Sequence, residues 1–184
     1  MPLERLYEVI VHLGNRKASW NVMNSRQFEI SKALGDLNDL APTGYALGIH
    51  IEYTTPKFMF QTYPKPWLDY YSSNGLVMSD PMVAWAFEHV GAKRWSDLDD
   101  PAGVMKKAAE FGMKYGIVVS VASEDSRTIC GFANAEREFT DAEIARIEET
   151  VIWIHDNTCD TAELDDKTVA QLKAMSILVT HPGS

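Results

Sequence analysis

Cysteine is scarce in this chain: two in 184 residues, Cys130 and Cys159. Two isolated thiols in a mid-sized chain make neither a metal cluster nor a disulfide framework, and they point to reduced cysteines in the cytoplasm. The five histidines, at 12, 50, 89, 155 and 181, recur at no ligand spacing, so no metal is expected. No stretch approaches the ~18–20 apolar residues of a membrane span. "MPLERLYEVI" carries acidic residues and no long apolar run, so no signal peptide is expected either. Positive charge is short as well. Seventeen Lys and Arg against 26 Asp and Glu leave a formal charge of −9, and the basic residues are scattered (Arg16-Lys17, Lys106-Lys107) rather than striped. These residues as a whole do not grip a phosphate backbone, which needs a local surplus of cations. Missing too are G-x-S-x-G, the phosphate-binding loop and G-x-G-x-x-G. Cys130 falls mid-strand with no base to activate it, so an enzymatic function has little to stand on.

The composition is otherwise that of a globular domain, 46% hydrophobic and 23% charged, long enough to bury a full core. Leu3, Leu6, Ile10 and Leu13 predict a short amphipathic helix. A second, capped by Asn24 or Ser25, carries Phe28, Ile30, Ala33, Leu34 and Leu37 as a buried stripe. "YALGIHIEYTT" and "KFMFQTY" predict a hairpin, with Thr55-Pro56 between them. Pro64 and Pro66 open a helix that Asn74-Gly75 closes. Asp80-Pro81 opens another, ending near Gly91, and Asp100-Pro101 opens a third that runs to Gly116. "IVVSVASE" and "RTICGFANA" form a second strand pair across Asp125-Ser126. Thr140 with Glu143 makes a capping box, and Ile144, Ile147, Val151 and Ile154 stripe a helix reaching about Thr158. With no βαβ alternation, this order predicts an α+β sandwich, an antiparallel sheet covered by helices. Beyond a polar break at Asp160 to Glu163, Asp165 or Asp166 caps a short helix bearing Val169 and Leu172.

Within "YPKPWLDYY", Tyr63, Trp67 and Tyr71 stand at i, i+4 and i+8, on one helical face. Aromatics so placed most often fill a core. Phenol and indole tips, however, demand hydrogen-bond partners when buried, which Phe or Leu would not. Such a face can equally line a site for a partly polar ligand. Asp80 before Pro81 is a standard helix N-cap in its own right, and Trp95 reads as packing.

The joint spacing, Y-P-x-x-W-x-x-x-Y, then D-P, then a Trp fourteen residues after that Pro, resembles the autoinducer-binding domain of LuxR-type quorum-sensing regulators. Tyr63 to Trp95 aligns without a gap, and the element order fits over residues 3–160. The resemblance implies an α/β/α sandwich of the PAS/GAF kind, with about five antiparallel strands. It also implies an N-acyl-homoserine lactone ligand, no cofactor, and a homodimer. Carried over by motif, Trp67 donates to the lactone carbonyl, Tyr63 donates to the amide carbonyl and Asp80 accepts from the amide N–H. Tyr71 and Trp95 wall the site, while Met82, Trp85, Val104, Met113, Val118 and Phe132 are candidates for the acyl chain. Leu68 stands where some members carry an Arg that helps to read a 3-oxo group. A late-strand Ser or Thr of the family falls at Ala133 or Asn134. Residues 1–160 then form the sensing domain. Residues 161–184 form a linker and the start of an incomplete helix-turn-helix, so DNA contact requires a complete one beyond this chain. Three other functions compete: an inhibitory heterodimer partner that has lost sensing, a sensor of a non-lactone small molecule, and an enzyme acting on lactones or amides.

Overall fold

The computed structural model describes residues 25–53, 55–124, 126–159 and 166–180. Its elements run α1 (Ser25–Leu40), β1 (Gly44–Glu52), β2 (Thr55–Gln61), α2 (Lys65–Ser73), α3 (Pro81–Glu88), β3 (Gly91–Arg94), α4 (Val104–Glu110), β4 (Tyr115–Ala122), β5 (Arg127–Asn134), α5 (Asp141–Thr158) and α6 (Asp166–Thr180). Short 3-10 turns cover Leu76–Met78 and Trp95–Asp97. The strands form one open sheet in the order β2-β1-β5-β4-β3, with every neighbouring pair antiparallel. The expected α+β sandwich on a five-stranded antiparallel sheet is therefore the observed fold. The predicted helix on Leu3, Leu6, Ile10 and Leu13, the cap Asn24, and the breaks at Asp125 and at Asp160 to Glu163 lie outside the described residues.

The strongest local signals form as expected. The Asp80 carboxylate accepts from the Met82 backbone N–H at 2.8 Å, with Pro81 in the first helical turn. Thr140 and Glu143 close a reciprocal capping box on α5. Four details differ from expectation. Thr55 and Pro56 belong to β2, paired with Glu52 and Ile51; proline is tolerated there because β2 is an edge strand. The helix after Pro101 is only the seven residues of α4, since Gly112 turns to φ +84° and Tyr115 already begins β4. Gly91 does more than end a helix: it starts β3, paired with Ser120. Phe28 is 57% exposed, so the α1 stripe consists of Ile30, Ala33, Leu34 and Leu37 alone.

The two faces of the sheet are built from different residues. Tyr45, Leu47, Ile49, Phe58, Phe60, Ile117, Val119, Cys130 and Phe132 form a large core with Ile30 and Leu37 of α1, Ile147, Val151 and Ile154 of α5, and Leu172 of α6. Each such side chain stabilises the fold by roughly 1.5–3 kcal/mol on burial. The opposite face carries small residues across its centre. Ala46, Gly131 and Val118 lie in one row, and Gly44, Ala133 and Gly116 in the next. Over this face lie residues of α2 and α4.

A bulge interrupts β1. Its pairing to β5 shifts by one residue between Gly48 and Ile51, and His50 has φ +52°, a left-handed conformation uncommon outside glycine. Ile49 and His50 consequently face the same side. His50 donates its backbone N–H to Thr128 Oγ1 at 3.2 Å, and its ring lies 4.5 Å from that of His155 on α5. Thr158 Oγ1 donates to the Ile154 carbonyl at 2.7 Å, so it accepts from His50 Nε2 at 2.9 Å. His50 Nδ1 lies 2.7 Å from Ser126 Oγ. His155 Nδ1 lies 2.8 Å from Thr128 Oγ1, and burial lowers its pKa from the usual 6.5, with Asp156 opposing. A base with a depressed folded pKa keeps its stability above the unfolded value and loses it as pH falls. Unfolding by urea is expected to show a loss of stability from pH 7 to pH 5 that His155→Gln reduces. Equal losses in the two proteins would refute this.

Candidate functional site

The small-residue face of the sheet is where the aromatic side chains singled out in the sequence meet. Tyr63, Trp67, Trp95, Val104, Ala108, Met113 and Ala133 form one buried cluster, with Leu68, Tyr70, Tyr71, Met82, Met105 and Phe111 packed around it. Tyr63 differs from expectation in its origin. α2 begins at Lys65, so Tyr63 sits in the exit from β2 and only Trp67 and Tyr71 share the helical face. That exit is pinned by Thr62, whose N–H donates to the Tyr45 carbonyl at 2.8 Å and whose hydroxyl accepts from the Tyr45 N–H at 2.9 Å. Trp67 and Tyr71 then pack with ring centroids 5.4 Å apart.

Asp80 is 2% exposed and ties this group together. One of its carboxylate oxygens caps α3 through Met82, and the other accepts from the Tyr71 hydroxyl at 2.8 Å. Burial raises the Asp80 pKa, and the bonds from Tyr71 and the backbone oppose the rise. Burial likewise raises the Tyr63 and Tyr71 pKa values, reinforced by the charge of Asp80, so both phenols stay protonated as donors. The Tyr63 hydroxyl is buried with no hydrogen-bond partner among the described residues, and so is Trp95 Nε1.

Two glycines set the clearance above the sheet. A Cβ at Gly131 would stand 2.7 Å from the Tyr63 hydroxyl and 3.8 Å from Met82 Sδ. A Cβ at Gly116 would collide with the Cε2 and Cδ2 atoms of Trp95 and lie 2.6 Å from the Phe132 carbonyl. Above Trp67, Tyr70 and Phe111 complete an aromatic triangle, with centroids 5.6 Å from Phe111 to each of the other two. Lys107 stands 5.1 Å from the Tyr70 ring centre and 6.0 Å from that of Phe111, a cation–π contact clasping α4 to α2.

Of the other residues named from the sequence, Val104 and Met113 lie in the cluster and Met82 packs against it. Val118 is fully buried and shares its row with Ala46 and Gly131. Phe132 faces the other way, into the large core, so it is no part of this site. Trp85 is half-buried and stacks on His89 at an interplanar angle of 3°; it is not among the residues packed in the cluster. Ala133 and Asn134 take opposite faces of β5. Ala133 faces Trp67 and Trp95, while Asn134 turns its Oδ1 to the backbone N–H of Glu136 at 2.9 Å. Sequence pattern does not single out Tyr70, Phe111, Gly116 or Gly131; glycines inside strands are the one signal of close approach that points to the last two.

Among the described residues no three His, Cys, Asp or Glu side chains are grouped to hold a metal, and no helix is long and apolar enough to cross a membrane. A family model described as the autoinducer binding domain matches residues 44–157, from the first strand into the last turn of α5. No curated protein matches the chain. Among solved structures, SdiA of Escherichia coli is similar with a TM-score of 0.55 at 14% identity, over 88% of this chain and 71% of that one. SdiA in complex with octanoyl-rac-glycerol gives 0.51 at 15% identity, over 88% and 69%. At such identities the likeness is one of fold.

Proposed function

The chain belongs to the family of autoinducer-binding domains, and from that membership we propose that it is the ligand-sensing domain of a LuxR-type quorum-sensing regulator, with an N-acyl-homoserine lactone as its guest. The observation that carries this reading is the convergence of an unpartnered phenol, two buried indoles and a buried carboxylate on a face of the sheet cleared by glycine and alanine. In this reading Tyr63 donates to the amide carbonyl and Trp67 to the lactone carbonyl. Asp80 accepts from the amide N–H with the lone pairs left free by Tyr71 and Met82. The bond to the Asp80 carboxylate is charge-assisted and contributes about 1.5–3 kcal/mol, the two neutral ones about 0.5–1.5 kcal/mol each. Tyr71 acts through Asp80, fixing its rotamer. Trp95 and Met82 flank the head group, and Val104, Met113 and Val118 are offered to the acyl chain. Each buried methylene adds ~0.8 kcal/mol, so chain length is selected by the depth available. Ala133, at the place of the family's Ser or Thr, supplies no hydroxyl. The reading also carries a cytoplasmic location, a homodimer and no enzymatic step; operator contact belongs to a helix-turn-helix module.

Binding to the folded state alone raises stability by mass action. A matched lactone from a panel of acyl lengths is expected to raise the melting temperature, and Asp80→Ala or Trp67→Phe to weaken its affinity about 10- to 100-fold. No shift with any lactone of the panel would overturn the reading. The structure of SdiA with octanoyl-rac-glycerol favours one second reading, a non-lactone acyl ester as guest, and that compound belongs in the same panel.

A further inference from the structure

Two buried polar atoms without partners, Tyr63 Oη and Trp95 Nε1, fall in the same cluster. An indole N–H is a donor only, and leaving it buried and unpaired carries the full desolvation penalty. Trp95 is 4% exposed. Its Cε2, the atom bonded to Nε1, rests on Gly116, so the N–H lies at the surface of the sheet rather than toward water. Of the side chains clustered with it, Val104, Ala108 and Ala133 offer no acceptor, Met113 offers only a weak one in its sulfur, and the Tyr63 hydroxyl is not bonded to it. Phenylalanine would fill such a place without creating an orphan donor. Asp80, by contrast, already has both oxygens engaged, by Tyr71 and Met82. The site is therefore supplied with donors more than with acceptors.

From this geometry we infer that Trp95 is a specificity-determining residue: its indole N–H donates to a ring or ester oxygen of the head group, additional to the carbonyls that Tyr63 and Trp67 engage. The guest class is an acyl compound whose head carries a ring or ester oxygen beside its acyl carbonyl. An acyl amide with a purely hydrocarbon head is discriminated against. The inference rests on the functional reading above, and it turns a side chain otherwise counted as a wall into a polar contact.

The test compares N-octanoyl-homoserine lactone with N-cyclopentyloctanamide, which keeps the amide and ring size but lacks both lactone oxygens. Each is titrated into the wild-type chain, into Trp95→Phe, and into protein with 3-benzothienylalanine at position 95. The last retains the bicyclic shape and exchanges the N–H for sulfur, so it covers the case in which the smaller Phe fails to fold. Losing one neutral hydrogen bond is expected to weaken the lactone about threefold to tenfold and to leave the cyclopentyl amide within twofold. An equal loss for both compounds in the sulfur variant makes Trp95 a wall only and overturns the inference. Failure of the wild type to bind either compound, or octanoyl-rac-glycerol beside them, removes the functional reading itself and the inference with it.

Discussion

Gly116→Ala is expected to lower the stability of the domain by about 3 kcal/mol, the upper end of the usual cost of overpacking a core. The added methyl collides with the six-membered ring of Trp95 on one side and approaches the Phe132 carbonyl to 2.6 Å on the other. Neither neighbour yields cheaply. The carbonyl belongs to β5, which pairs with both β1 and β4. Trp95 is held between that strand pair and α4. Relief requires the indole to lift off the sheet, which also spoils the site, so guest affinity is expected to fall together with stability. Urea unfolding measures the first and ligand titration the second. A loss of stability below about 1 kcal/mol would mean that Trp95 has another place to go and that this face is less tightly filled than its contacts indicate.

Leu172→Ala is expected to cost a further about 3 kcal/mol in a separate variant, within the range for emptying a buried leucine site. Leu172 is fully buried in the large core, with Val169 and Met175 packed against the same core. Sequence pattern ends the sensing domain at 160 and assigns residues 161–184 to a linker and a different module. A helix that places a leucine in the same core as Phe58, Phe60 and Ile154 contributes to the stability of the domain, wherever its boundary is drawn. Urea unfolding of this variant with a loss below about 1 kcal/mol would instead detach α6 from the cooperative unit.

The features legible in the sequence are those that depend on near neighbours. Asp80 and Thr140 cap their helices with groups two or three residues away, so chemistry and spacing alone disclose them. Trp67 and Tyr71 share a face because four residues make about one turn. Tyr63 shares their spacing but not their helix, because i−4 spacing cannot reveal that α2 starts only at Lys65. Sequence leaves the late-strand position open between Ala133 and Asn134, since a shift of one residue exchanges the two faces of a strand. The same ambiguity places Phe132 with the acyl chain when it belongs to the opposite core. β3 escapes detection because its four residues, Gly-Ala-Lys-Arg, show no alternation and are recruited by pairing with β4. Trp85 is apolar and close to Asp80 in the chain, yet it stacks on His89 at the end of its own helix and does not join the cluster, a position on α3 that only the packing of that helix against the sheet reveals.

The bulge in β1 has a consequence for how the sheet assembles. Two-residue periodicity alone leaves a strand free to pair one step out of phase, which would send Leu47 and Ile49 toward the aromatic cluster and Ala46 and Gly48 into the hydrocarbon interior. His50 removes that freedom: only one alignment lets its backbone meet the Thr128 hydroxyl while its imidazole reaches Thr158. The irregularity thus acts as an index mark between β1 and β5. The aromatic face inherits its correct side from a pair of histidines on the other one.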